Sequence, residues 1–286
     1  MLLFALLVLV LLQAQVLVLV AADLFPDLDR LAQVLLVQSV IMLVSALLAA
    51  WIMLRWIDRQ PLRGLGFPVE RRVPRDLAAG VAIGALALGG VVLVLAVFGA
   101  FGFTSAPGSL PEWLAVAGTA LIFLALPAAA EEALFRGYPF RVLVEGAGPL
   151  AATLIMSVLF AGLHATNPNV DVAGLANIFA AGIMLSLAVL WTGSLWFATA
   201  VHLGWNWAMA GLLDLPVSGL DLFDAPLYDG RATGPRWLTG GEFGPEGGLA
   251  GTLAVLVAVA LVWLYTRPGS RGGTSERKGD HDVGHQ

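Results

Sequence analysis

Cysteine is absent from all 286 residues. Its absence excludes disulfides, thiolate metal sites and a cysteine nucleophile together, and leaves the redox compartment undetermined. Charge is scarce too: Asp, Glu, Lys and Arg make up 12% of the chain against 59% hydrophobic residues, and the mean hydropathy is +0.87. A soluble domain carries about 25% charged residues, so this is the composition of a polytopic membrane protein rather than a globule with one anchor. The formal net charge of −5 is spread without a long run of either sign, which gives no basis for a nucleic-acid partner. Lipidation motifs and internal repeats are also lacking.

What is present is a series of apolar stretches. A membrane-crossing helix needs about 20 mostly apolar residues, and eight segments qualify: 1–22, 33–54, 77–100, 113–132, 149–165, 172–191, 194–213 and 249–266. The first has no basic n-region, and its apolar run exceeds that of a signal peptide, so it reads as a retained span although Val20-Ala21-Ala22 imitates a cleavage site. Arg55, Arg59, Arg63, Arg71, Arg72 and Arg75 follow the second span, Arg141 follows the fourth, and Arg267, Arg271, Arg277 and Lys278 lie in the tail. The opposite loops offer only Arg30, Arg231 and Arg236, among Asp23, Asp27, Asp29, Asp214, Asp221, Asp224 and Asp229. By the positive-inside rule both termini are cytoplasmic, as an even number of spans requires.

The fold expected is therefore all-α: a polytopic membrane helical bundle of about eight transmembrane helices with both termini cytoplasmic. It divides into one transmembrane domain over 1–267 and a disordered cytoplasmic tail over 268–286, which holds His281 and His285. The Gly-, Pro- and Asp-rich segment from Asp214 to Gly248 is expected to be a solvated connector on the outer side.

A few polar groups interrupt the apolar background. Glu131 and Glu132 end the fourth span, Arg136 follows, and the only histidines outside the tail, His164 and His202, lie in apolar segments, with Asn206 four residues after His202. An ionised residue at mid-membrane costs about 2.5–3.5 kcal/mol on insertion scales, so their joint presence calls for a common site. If the helix of Glu132 continues to Glu145, Glu132 lies ~20 Å from that end, and His164 lies ~22 Å beyond Pro149. His202 and Asn206 fall ~12 and ~18 Å beyond Ser194. Three helices can thus present these groups at one depth, which the orientation puts in the cytoplasmic half, in a wet pocket open to the cytosol. Glu132 and Arg136 share a helix face, as do His202 and Asn206. Glu131 is left on another face without a partner, a setting suited to exchanging a proton. Taken singly, each group has a structural reading: a helix salt bridge for Arg136, a carbonyl bond for a lone His, interhelical polar contacts for His202 and Asn206.

Glu131-Glu132-Ala133-Leu134-Phe135-Arg136 matches EExxxR, Phe160-Ala161-Gly162-Leu163-His164 matches FxxxH, and His202-Leu203-Gly204-Trp205-Asn206 matches HxxxN. In this order and on separate spans, the three motifs resemble the CPBP family of type II CAAX prenyl endopeptidases and bacteriocin-processing or immunity-related membrane proteins. The resemblance runs from Pro111 to Leu213, with the catalytic core at 113–213. It implies an intramembrane endopeptidase in which Glu131 and His164 activate a water, His202 and Asn206 stabilise the oxyanion, and Glu132 and Arg136 shape the site. The implied partners are the lipid bilayer and a peptide or protein substrate, lipid-modified or not, and the implied location is the cell membrane of a bacterium. Two histidines and a glutamate could also hold zinc through Glu131, His164 and His202. With no HExxH and an amide as the fourth group, a metal-free glutamate mechanism is the reading preferred. Alternative functions are an ion- or proton-coupled transporter, because intramembrane Glu and His also mark ion pathways, and a non-catalytic immunity or partner-binding membrane protein.

Overall fold

The computed structural model describes residues 3–5, 7–9, 30–61, 66–67 and 70–267. The expected tail, most of the first span, and Asp23, Asp27, Asp29 and Arg63 lie outside the described residues. The chain is mostly helical. Helix α1 (Arg30–Ile52) runs into a π turn (Met53–Ile57), and α2 covers Val73–Val97. Strand β1 (Phe101–Ser105) precedes α3 (Leu110–Phe135) and α4 (Tyr138–Leu163). Then come α5 (Val172–Thr192) and α6 (Leu195–Trp207), which continues as a π turn over Ala208–Leu212. Strand β2 (Tyr228–Ala232), the one-turn α7 (Arg236–Thr239) and α8 (Leu249–Thr266) complete the order.

Among the described residues five helical stretches are long and apolar enough to cross a membrane: 31–57, 73–97, 110–166, 172–192 and 249–266. The chain is a multi-pass membrane protein. Helix α6, the expected seventh span, is not among them: it has 13 residues, and His202, Asn206 and three tryptophans dilute its apolar character. The all-α expectation needs one correction. β1 and β2 pair antiparallel with Phe101 opposite Ala232 and Ser105 opposite Tyr228, a ribbon too short for its alternation to stand out in the sequence.

The stretch 110–166 explains how the glutamates meet His164. A Ser109–Glu112 capping box starts α3, with both the Ser109 amide and hydroxyl 2.8 Å from the Glu112 carboxylate. Continuous helix from Glu132 to Glu145 does not form: α3 stops at Phe135, and the chain restarts at Tyr138 with Pro139 in the first turn. A second break falls at Gly148, whose φ of 84° suits glycine and precedes Pro149. The chain reverses there, and Phe160 returns to Phe135 with ring centroids 5.4 Å apart.

Helix α6 is set by a close crossing with α2. A Cβ on Gly84 would collide with the Val201 carbonyl oxygen, and one on Gly204 with that of Val81. Such small-residue contact lets two backbones touch, as membrane helices often require. It fixes the depth and rotation of the helix that carries His202 and Asn206.

The 214–248 segment is not a solvated connector. Leu215, Val217, Phe243 and Glu246 are buried, and the segment folds back onto the bundle as a strap. Asn177 of α5 donates to the carbonyls of Glu246 (2.7 Å) and Gly248 (2.8 Å), and Asn167 donates to the Ser218 carbonyl (3.0 Å). The Asp214 carboxylate accepts from the amides of Ala225 (2.7 Å) and Gly230 (3.1 Å), closing the strap on itself. Gly, Pro and Asp reported its irregular backbone correctly; its few scattered apolar residues gave no periodic sign of burial.

Candidate active site

Glu131, His164, His202 and Asn206 line one cavity of about 380 Å³. Beneath it lies a layer with no access to solvent. Glu132 is 0% and Arg136 2% exposed. Glu132 Oε1 accepts from Arg136 Nη1 at 3.2 Å and from His202 Nδ1 at 3.0 Å. Arg136 Nη2 donates to the Gly182 carbonyl at 3.1 Å, and its guanidinium stands 4.3 Å from the Phe160 ring centroid. A buried charge needs such compensation, because removing one partner of a buried pair costs about 3–5 kcal/mol.

The Glu132 bond also orients His202. A carboxylate oxygen can only accept, so Nδ1 carries the hydrogen and Nε2 is turned toward Glu131 Oε2, 3.8 Å away. That separation is an ion-pair distance rather than a hydrogen bond. Among the described residues Glu131 has no hydrogen-bond partner at Oε2, and the two adjacent glutamates stand in different surroundings: Glu132 holds Arg136 and His202 through Oε1 in the floor, while Glu131 faces the cavity.

His164 ends α4. Its Nδ1 lies 2.8 Å from the Phe160 carbonyl oxygen, an acceptor only, so in the neutral ring Nε2 is the free lone pair. Phe160 stands between the imidazoles, with centroids 4.7 Å from His164 and 6.0 Å from His202. Asn206 lies one turn beyond His202 on the cavity wall and makes no side-chain hydrogen bond among the described residues. Pro127 of α3 also lines the cavity and leaves the Phe123 carbonyl without its i+4 donor.

Among the described residues the arrangement joins a carboxylate without a hydrogen-bond partner, an imidazole with a free nitrogen, an imidazole held by a second carboxylate, and a free amide. It suits general acid–base chemistry with oxyanion stabilisation. The zinc set Glu131, His164 and His202 fits less well: among the described residues no three His, Asp or Glu side chains gather closely enough to hold a metal ion.

The cavity lies toward the strap end of the bundle. Its walls include Thr166, Asn167, Val217, Ser218, Leu220, Leu222 and Glu246, all at the strap end, and no described residue of 53–75, 136–149 or 192–196 lines it. Sequence reasoning missed further polar groups on these walls, Gln38, Ser39 and Glu246 among them. Gln38 and Ser39 of α1 belong to an apolar span that showed no motif, although a Gln in such a span was itself a signal. Glu246 of the strap accepts from Trp205 Nε1 (2.8 Å) and from the Ser218 amide (2.9 Å) and hydroxyl (2.6 Å). A single acid among glycines gave no pattern to read.

Fold and site together define a class: a multi-pass helical membrane protein with an acid–imidazole cavity within its bundle. Residues 111–208 match the family model described as type II CAAX prenyl endopeptidase Rce1-like, and all three motifs lie inside the matched stretch. The match supports intramembrane endopeptidase activity. No curated protein and no solved structure matches the chain.

Proposed function

We propose that the protein is an intramembrane endopeptidase that hydrolyses a peptide bond of a membrane-associated substrate through a water activated by Glu131 and His164. The reading rests on one observation: Glu131, His164, His202 and Asn206, drawn from three helices, line a single cavity. Glu131 accepts a proton from water, and the resulting hydroxide attacks the carbonyl carbon. His164, directed by the Phe160 carbonyl, positions that water through Nε2. The electron pair displaced from the carbonyl forms an oxyanion. Asn206 donates to it through its amide, and His202 donates through Nε2 when that atom carries a proton. Collapse of the intermediate breaks the C–N bond, and the proton held at the Glu131–His164 pair passes to the leaving amine. Glu132 and Arg136 keep His202 in direction and never meet the substrate.

The reading extends to a substrate that is a peptide or protein, lipid-modified or not, and to the cell membrane of a bacterium as the location. Activity is proposed to need no metal. Purified protein in proteoliposomes, offered an internally quenched farnesyl-cysteine peptide, tests the scheme. Cleavage by the wild type that survives exhaustive chelation, and is lost in Glu131→Ala and His164→Ala while both variants insert normally, supports it. Full cleavage by either variant contradicts the residue assignment, and loss on chelation restored by zinc contradicts the metal-free step.

A further inference from the structure

The two ends of the bundle differ in charge and in their relation to the cavity. At one end the N-termini of α2 and α6 meet the C-termini of α5 and α8. Arg72 donates to the Thr192 carbonyl (3.3 Å), Leu195 N bonds Gly66 O (2.9 Å), and the Tyr265 hydroxyl donates to Asp76 (2.6 Å). This end carries Arg55, Arg59, Arg71, Arg72, Arg75 and Arg267. The other end carries the β1–β2 ribbon and the strap with Asp214, Asp221, Asp224 and Asp229.

The cavity belongs to the acidic end. Every loop residue on its walls comes from 166–167 or from the strap, and α1 contributes Leu35 to Met42, from its first half. Toward the arginines it is closed by Glu132, Arg136 and Phe160, each no more than 2% exposed. Water or a chain therefore has no path to Glu131 through that floor. At the opposite end two polar wall residues, Gln38 and Thr166, are exposed on the surface of the bundle. Arginine-rich loops stay on the cytoplasmic side of a membrane.

We propose that the active-site cavity is entered from the strap end of the bundle, so that the segment it takes is presented from the extracytoplasmic side of the membrane. That the entrant is a peptide rests on the endopeptidase reading; the side of entry does not. The substrate class is then an outward-facing or exported segment rather than a cytosolic C-terminus.

The cysteine-free chain makes the test direct. Gln38→Cys and Thr166→Cys report on the cavity, and Gln60→Cys, on the arginine-rich loop, reports on the other end. Each full-length variant is treated in intact cells, and again after permeabilisation, with a membrane-impermeant sulfonated maleimide. The expected result is labelling of both cavity reporters in intact cells, while Gln60→Cys labels only after permeabilisation. Labelling of the cavity reporters from the same side as Gln60→Cys overturns the proposal, and so does their failure to label on either side. Labelling requires no hydrolysis, so failure of the endopeptidase reading would leave this result standing, and the reverse also holds.

Discussion

His202 Nδ1 lies 3.0 Å from Glu132 Oε1, which makes a carboxylate outside the cavity the group that aims an imidazole into it. The same oxygen holds Arg136 at 3.2 Å. One fully buried carboxylate therefore neutralises a guanidinium and fixes the tautomer of a histidine, while its neighbour Glu131 stays free for chemistry. Adjacent positions on a helix face about 100° apart, which is how two consecutive glutamates can serve a floor and a cavity.

Removing Glu132 leaves Arg136 buried and uncompensated. Glu132→Ala is expected to lose about 3–5 kcal/mol of stability, seen as a lower melting temperature in detergent and poor accumulation in the membrane. Glu132→Ala combined with Arg136→Leu should lose less than the sum of the two single changes, because neither charge is then stranded. Additive losses would show that the pair is not coupled as its geometry indicates.

Asn206 has no hydrogen-bond partner among the described residues to release, so its removal should act on the reaction alone. Asn206→Ala is expected to lower kcat by about 10²–10³ with KM and melting temperature nearly unchanged, the size seen when one oxyanion donor is deleted. A change confined to KM would move Asn206 from the oxyanion to substrate binding.

The α2–α6 crossing sets the position of His202. Gly204→Ala introduces a methyl group against the Val81 carbonyl and forces the helices apart. Activity is expected to fall at least tenfold although no catalytic group has changed, since a shift of 1 Å can cost about 10² in rate. The equivalent change at Gly118, where a Cβ meets nothing within 4 Å, should leave activity intact. Equal effects at both glycines would remove the close-packing argument.

Much of this was legible in the sequence. Long apolar runs locate α1, α2, α3, α5 and α8 to within a few residues, because membrane helices satisfy their own backbones and are specified by hydropathy alone. Glu131, His164, His202 and Asn206 stood out because polar groups are costly in that setting. The strap was not legible, since its fixation depends on Glu246 meeting Ser218 and Asn177 across 28 and 69 positions of sequence. The end of the bundle to which the cavity belongs was hidden for the same reason: depth along each helix could be counted, but which loop closes over the site is a tertiary fact. Gly84 and Gly204 look alike in sequence to glycines that touch nothing.

The most direct measurement compares the membrane peptidomes of cells carrying the wild-type protein and the Glu131→Ala variant at equal abundance. The account predicts that a defined set of membrane-associated peptides or precursors is processed with the wild type and accumulates uncut with the variant. Identical peptidomes would contradict an endopeptidase built on Glu131.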